Sequence, residues 1–64
     1  MNTKETMQKI NLAMDLLKII YMMAEQEEDY SLISRNYNEL IDEYNLPISK
    51  IRWISNKQFE FIRK

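Results

Sequence analysis

The strongest constraint on the fold is an apolar period that runs through the first third of the chain. Between Thr3 and Gln26 an apolar residue recurs at alternating steps of three and four, which is the spacing of one helical face. Asn2 followed by Glu5 has the spacing of a capping box, so the helix is predicted to begin at about Thr3. Such a helix is about 36 Å long, whereas a compact domain of this length is about 28 Å across. The sequence therefore predicts a long helix that its own chain cannot fully cover.

Association is the expected source of the missing cover. The chain contains no Cys and no His, which removes disulfides and the common zinc sites as sources of stability. We therefore expect a homodimer through the first helix, with an interface made by Met7, Ile10, Met14, Leu17 and Tyr21. A long amphipathic helix that binds another protein or a membrane surface is the competing interpretation.

Composition favours a single, mainly α-helical domain over residues 1–64. The chain has no Gly, no Val and one Pro, whereas sheets and tight turns draw on Gly and Val. The longest mostly apolar stretch, Leu12 to Ala24, is shorter than the roughly 20 residues of a membrane span, and no signal peptide is evident. We expect a cytoplasmic protein with no membrane partner. Without a Gly-rich phosphate loop or a catalytic cluster, neither an enzyme nor a cofactor or metal site is expected.

The middle of the chain combines an acidic run with a second helical period. The acidic run consists of Glu25, Glu27, Glu28 and Asp29, and it is interpreted as a solvated helix end or loop. The helical period resumes at Tyr30, Ile33, Tyr37, Leu40 and Tyr44, and its tyrosines are predicted to line the core. Asn36 followed by Glu39 offers another capping box, so one long helix and a shorter helix from Tyr37 both remain open.

The last third supports two interpretations. Residues 50–55 and 58–63 resemble two strands of a hairpin, while Ile48, Ile51 and Ile54 also suit one face of a helix. We predict a short helix from Ile48 to Ser55 followed by an extended tail over 58–63. The hairpin stays the alternative.

One segment resembles a known motif. Residues 37–55, YNELIDEYNLPISKIRWIS, are similar to the helix-turn-helix of bacterial and phage DNA-binding proteins. The apolar positions that lock the two helices of that motif are matched by Leu40, Tyr44, Leu46, Ile51 and Ile54. Asn45 falls at the turn, where Asn tolerates a left-handed backbone best after Gly. The following KQFEFIRK is similar to the wing strand of excisionase-like and MerR-like proteins.

The resemblance implies a small DNA-binding regulator, of phage or mobile-element type, that binds double-stranded DNA. The net charge is −1, but the last 20 residues carry five basic side chains and one acidic side chain. The residues expected to contact DNA are Ser49, Lys50, Arg52, Asn56, Lys57 and Arg63. Trp53 is expected to complete the core, with a wedge against DNA as its alternative. The alternative function is a small helical protein-interaction module or inhibitor that binds another protein through the first helix or the acidic segment.

Overall fold

A computed structural model describes residues 3–62. It contains two helices followed by a two-stranded hairpin: α1 Thr3–Glu25, α2 Ser31–Tyr44, β1 Ile51–Trp53 and β2 Phe59–Phe61. The mainly helical class, with a long first helix and a shorter second one, is confirmed, and the C-terminal segment is a hairpin. Asn2 of the first predicted capping box lies outside the described residues. Neither helix within residues 3–62 has both the length and the apolar character needed to cross a membrane.

The acidic run forms the turn between the helices. Glu27 has a left-handed backbone with a φ of 61°, and its N–H donates to the carbonyl of Ala24 at 3.1 Å. The N–H of Glu28 donates to the carbonyl of Met23 at 2.8 Å, which completes a Schellman motif and satisfies the last carbonyls of α1. Asp29 then accepts a hydrogen bond from the N–H of Ser31 at 3.0 Å, and this lowers the pKa of the Asp29 carboxyl. The prediction of a solvated helix end and loop is confirmed.

The second helical period forms one continuous helix. Asn36 lies exposed inside α2, so of the two open alternatives the single helix is the one observed. Tyr30 and Tyr37 are fully buried, as predicted for tyrosines that line the core. Asn45 caps the C-terminus of α2. Its backbone is left-handed, with φ 50° and ψ 50°, as its position in the motif predicted.

The two helices pack antiparallel. The Lys9 Nζ lies 4.6 Å from the ring centroid of Tyr44, which joins the first turns of α1 to the last turn of α2. Small side chains, Ala13 and Ala24, form part of the buried face of α1 and leave room for the large rings opposite. The buried core consists of Ala13, Ile20, Ala24, Tyr30, Tyr37, Ile41, Leu46 and Ile51.

The predicted helix from Ile48 to Ser55 is wrong, because this segment enters a strand. β1 and β2 are antiparallel with Ile51 opposite Phe61 and Trp53 opposite Phe59. At the outer edge of β1, an amide side chain from α2 forms the hydrogen bonds that a neighbouring strand would otherwise form. The Asn38 Nδ2 donates to the Ile51 carbonyl at 2.8 Å, and the Ile51 N–H donates to the Asn38 Oδ1 at 2.9 Å. Ile54, expected to lock two helices together, is exposed.

Candidate binding surfaces

The residues predicted to contact DNA lie along the hairpin, not on a helix. Ser49 and Lys50 precede β1, Arg52 lies on it, and Asn56 and Lys57 lie in the connecting loop. Arg63 is outside the described residues. Because β1 takes the place of the predicted second helix, the helix that the motif would insert into a major groove is not formed within residues 3–62.

Three of these basic side chains have carboxylate partners. The pairs are Lys50 with Asp42 at 3.0 Å, Lys57 with Glu27 at 2.7 Å, and Arg52 with Glu60 across the hairpin. All three pairs are solvent-exposed, so each contributes at most about 1 kcal/mol to stability. Their effect on the surface potential is larger, since each cation lies beside an anion and the hairpin presents little net positive charge.

The rings of both strands join a cluster built around Tyr30. The centroid of Tyr30 lies 6.3 Å from that of Trp53 and 5.9 Å from that of Phe59, both edge to face. Trp53 lies at the rim of this cluster and keeps part of its indole in solvent, so it only partly completes the core. The inward faces of β1 and β2 are therefore attached to the helices through aromatic contacts.

Two buried tyrosines beneath the hairpin differ in their hydrogen bonding. The Tyr37 hydroxyl donates to the Ser49 carbonyl at 2.9 Å, whereas the Tyr30 hydroxyl is buried without a partner among the described residues. Burial raises the pKa of both phenols, and a nearby Tyr21 contributes to the rise at Tyr37. The Tyr37 hydroxyl therefore holds the chain before β1, whereas Tyr30 holds the hairpin through the contacts of its ring with Trp53 and Phe59.

An open groove separates the C-terminal half of α1 from β2. We call it the aromatic groove; it has a volume of about 440 Å³ and is lined by Tyr21, Ala24, Glu25, Lys57, Gln58, Phe59 and Phe61. The ring centroids of Tyr21 and Phe59 are 4.9 Å apart, and those of Phe59 and Phe61 are 5.9 Å apart. Tyr21 remains 53% exposed and Phe61 45% exposed, so the rings that line the groove are accessible.

The free edge of the sheet borders this groove. The Ile62 N–H donates to the Lys50 carbonyl at 2.8 Å, which makes these two residues a hydrogen-bonded pair of the antiparallel ladder. By alternation, the N–H and C=O groups of Phe59 and Phe61 point away from β1. Within residues 3–62 the sheet has only the order β1–β2, so these groups form an unpaired edge.

The predicted dimer residues are only partly available. Ile10 and Leu17 pack against the core of their own chain, and the ring of Tyr21 contacts Phe59. Met14 is half-buried, while Met7 is 54% exposed. An interface through this row of residues remains a prediction.

Sequence reasoning missed Asn38 and the edge formed by Phe59 and Phe61. The pattern of residues 50–55 and 58–63 indicates the two strands, whereas the helical spacing of Ile48, Ile51 and Ile54 favours a helix over the first of them. No local pattern marks Asn38, because its role is defined by a backbone 13 residues away in sequence.

Comparison of the chain with protein-family models, curated proteins and solved structures finds no match.

Proposed function

We propose that the protein is a small protein-interaction module that binds an extended segment of another protein in the aromatic groove. The observation that carries the proposal is the unpaired edge of β2 beside exposed aromatic rings. An unpaired strand edge offers main-chain hydrogen bonds to any extended peptide, and the neighbouring rings offer apolar contacts.

The chemistry of the groove defines the occupant. A strand added beside Phe59 and Phe61 lies about 4.8 Å from β2, and its side chains alternate between solvent and the rings of the groove. Alternate apolar residues in the partner are therefore expected, because every second side chain faces Tyr21 and Phe61. An edge this short buries less than a standard interface, so we expect a micromolar Kd.

The alternative, a DNA-binding regulator, has less support. The expected recognition helix is a strand, and Lys50, Arg52 and Lys57 each lie beside a carboxylate. Protein cations gain affinity for a duplex when they neutralise phosphates and release their counterions. A cation that already lies beside a carboxylate gains less, so these pairs weaken attraction to a duplex.

The test is selection of a displayed library of random octapeptides against the full chain. We expect enrichment of peptides with apolar residues at every second position. Tyr21→Ala should weaken binding of the selected peptides, whereas Met22→Ala, a change at an exposed residue next to it on α1, should not. Failure to enrich any peptide above the Tyr21→Ala variant contradicts the proposal.

A pair of variants isolates the strand edge. Phe61→Ala and Phe61→Pro both remove the ring, but only the proline also removes the outward N–H, and the hairpin ladder does not use that group. Loss of one hydrogen bond should make the Kd of the proline variant about tenfold weaker than that of the alanine variant. A mixed-sequence DNA duplex serves as the other arm. Duplex binding that falls steeply with salt, without peptide enrichment, overturns the proposal in favour of DNA.

A further inference from the structure

We infer that the aromatic groove binds the side chain of a lysine, carried at one of the inward-facing positions of the extended segment. The inference rests on the proposed function and specifies the chemistry of the occupant. The rings of Tyr21, Phe59 and Phe61 line the same groove as the carboxylate of Glu25. A lysine side chain combines an apolar stem with an ammonium group, and both parts find partners among these four residues.

The three rings present their faces in different directions. The ring centroids of Tyr21 and Phe61 lie 4.9 Å and 5.9 Å from that of Phe59, at interplanar angles of 69° and 81°. Tyr21 and Phe61 are therefore at most about 11 Å apart, so a cation midway between them lies within the roughly 6 Å of each centroid that a cation–π contact requires. Both rings are about half exposed and accessible to an incoming side chain. The fold already makes one contact of this kind, where the Lys9 Nζ lies 4.6 Å from the Tyr44 centroid.

Glu25 supplies the counter-ion for the bound ammonium group. It follows Tyr21 by four residues on α1, so the carboxylate and the phenol ring are neighbours on one helical face. Glu25 is exposed and forms no ion pair with any other residue within 3–62. An ammonium group beside Tyr21 therefore gains a carboxylate without breaking an existing pair.

The charges around Glu25 also favour a cation at this end of the groove. The last turn of α1 contains no basic residue, so the negative end of the helix dipole has no cation on its own helix. Lys57 lines the groove, but its Nζ lies 2.7 Å from the Glu27 Oε1 and is paired there. Lys18 lies about 10 Å from Glu25 along α1, given 1.5 Å per residue. An acidic or uncharged segment in the groove would leave the Glu25 carboxylate unpaired, whereas a lysine pairs with it.

Three octapeptides test the inference with the full chain. The first, TVTKTVTV, alternates Thr with apolar residues and carries Lys at one of the alternate positions; the other two have norleucine or Glu in place of that Lys. Isothermal titration calorimetry should give a Kd for the norleucine peptide about tenfold weaker than that for the lysine peptide, because a neutral side chain forms neither the cation–π contact nor the ion pair. The glutamate peptide should bind most weakly, because its charge repels Glu25.

A pair of protein variants assigns the effect to Glu25. Glu25→Gln should weaken binding of the lysine peptide about threefold and leave the Kd of the norleucine peptide unchanged, and the unchanged Kd also shows that the variant is folded. Glu28→Gln is the matched control, because it removes the same charge from an exposed residue that does not line the groove. That variant should leave the preference for lysine over norleucine unchanged.

The possible results separate this inference from the proposed function. Equal affinity of the lysine and norleucine peptides, or equal effects of Glu25→Gln and Glu28→Gln on the lysine peptide, overturns the lysine site and leaves binding of an extended segment standing. Absence of binding by all three peptides overturns the proposed function, and the lysine site with it.

Discussion

Replacement of Asn38 is expected to undock the hairpin from the helices. Its amide bonds both the N–H and the C=O of Ile51, a residue that is 1% exposed. Asn38→Leu leaves both main-chain groups buried and unpaired, and each such group costs about 1–3 kcal/mol. We therefore expect the free energy of unfolding to fall by about 2–6 kcal/mol. A chain of this length has about 3–10 kcal/mol in total, so the loss is a large part of its stability.

Urea denaturation followed by circular dichroism measures this change. Asn36→Leu is the matched control, because it makes the same chemical change two residues away at an exposed position of α2. That variant should stay within about 0.5 kcal/mol of the parent protein. Equal effects of the two substitutions would refute the proposed anchoring role of Asn38.

A second variant at the same position tests the donor separately. Asn38→Asp keeps an acceptor for the Ile51 N–H but replaces the donor to the Ile51 carbonyl with a charged oxygen. The variant should be destabilised at neutral pH and should recover relative to the parent protein as pH falls, because a protonated carboxyl donates again. A stability difference that does not change with pH would contradict this account. Hydrogen exchange of the Ile51 amide should accelerate more in Asn38→Leu, which has no acceptor for that N–H, than in Asn38→Asp.

Further predictions concern the two core tyrosines, the two residues with left-handed backbones, and Asp29, which precedes α2. Tyr30→Phe removes a buried hydroxyl without a partner and should stabilise the protein by about 1 kcal/mol, whereas Tyr37→Phe removes the bond to Ser49 and should destabilise it by about 1 kcal/mol, both measured in urea. Glu27→Gly should raise the thermal midpoint and Asn45→Ala should lower it, since both native residues have left-handed backbones that Gly adopts freely and Ala does not. The lowered pKa of Asp29 means that its contribution is fully present above the ordinary pKa of 3.8 and is lost as pH falls through the lower folded-state value; Asp29→Asn should abolish that part of the acid sensitivity.

Local sequence determined the helices because their signals act over one or two turns. The apolar period of residues 3–26 predicts α1 to within one residue at its end, and Asn45 carries its own left-handed preference. Of the tyrosines at helical spacing, Tyr30 and Tyr37 are buried as predicted and Tyr44 is half-buried, because that spacing turns them to one side.

Tertiary structure decided the last third of the chain, where local signals conflict. Ile48, Ile51 and Ile54 fit one face of a helix, yet Ile51 lies in β1, whose outer edge is satisfied by Asn38. That partner is distant in sequence, and a single chain without an alignment carries no sign of the pairing. The strand then brings Lys50, Arg52 and Lys57 beside carboxylates and turns Phe59 and Phe61 toward α1. The sequence by itself thus specified α1 and the helical period that forms α2. The docking of the hairpin decided that residues 48–55 do not form a helix, which basic side chains are paired and which strand edge is free, because all of these depend on contacts between elements far apart in the chain.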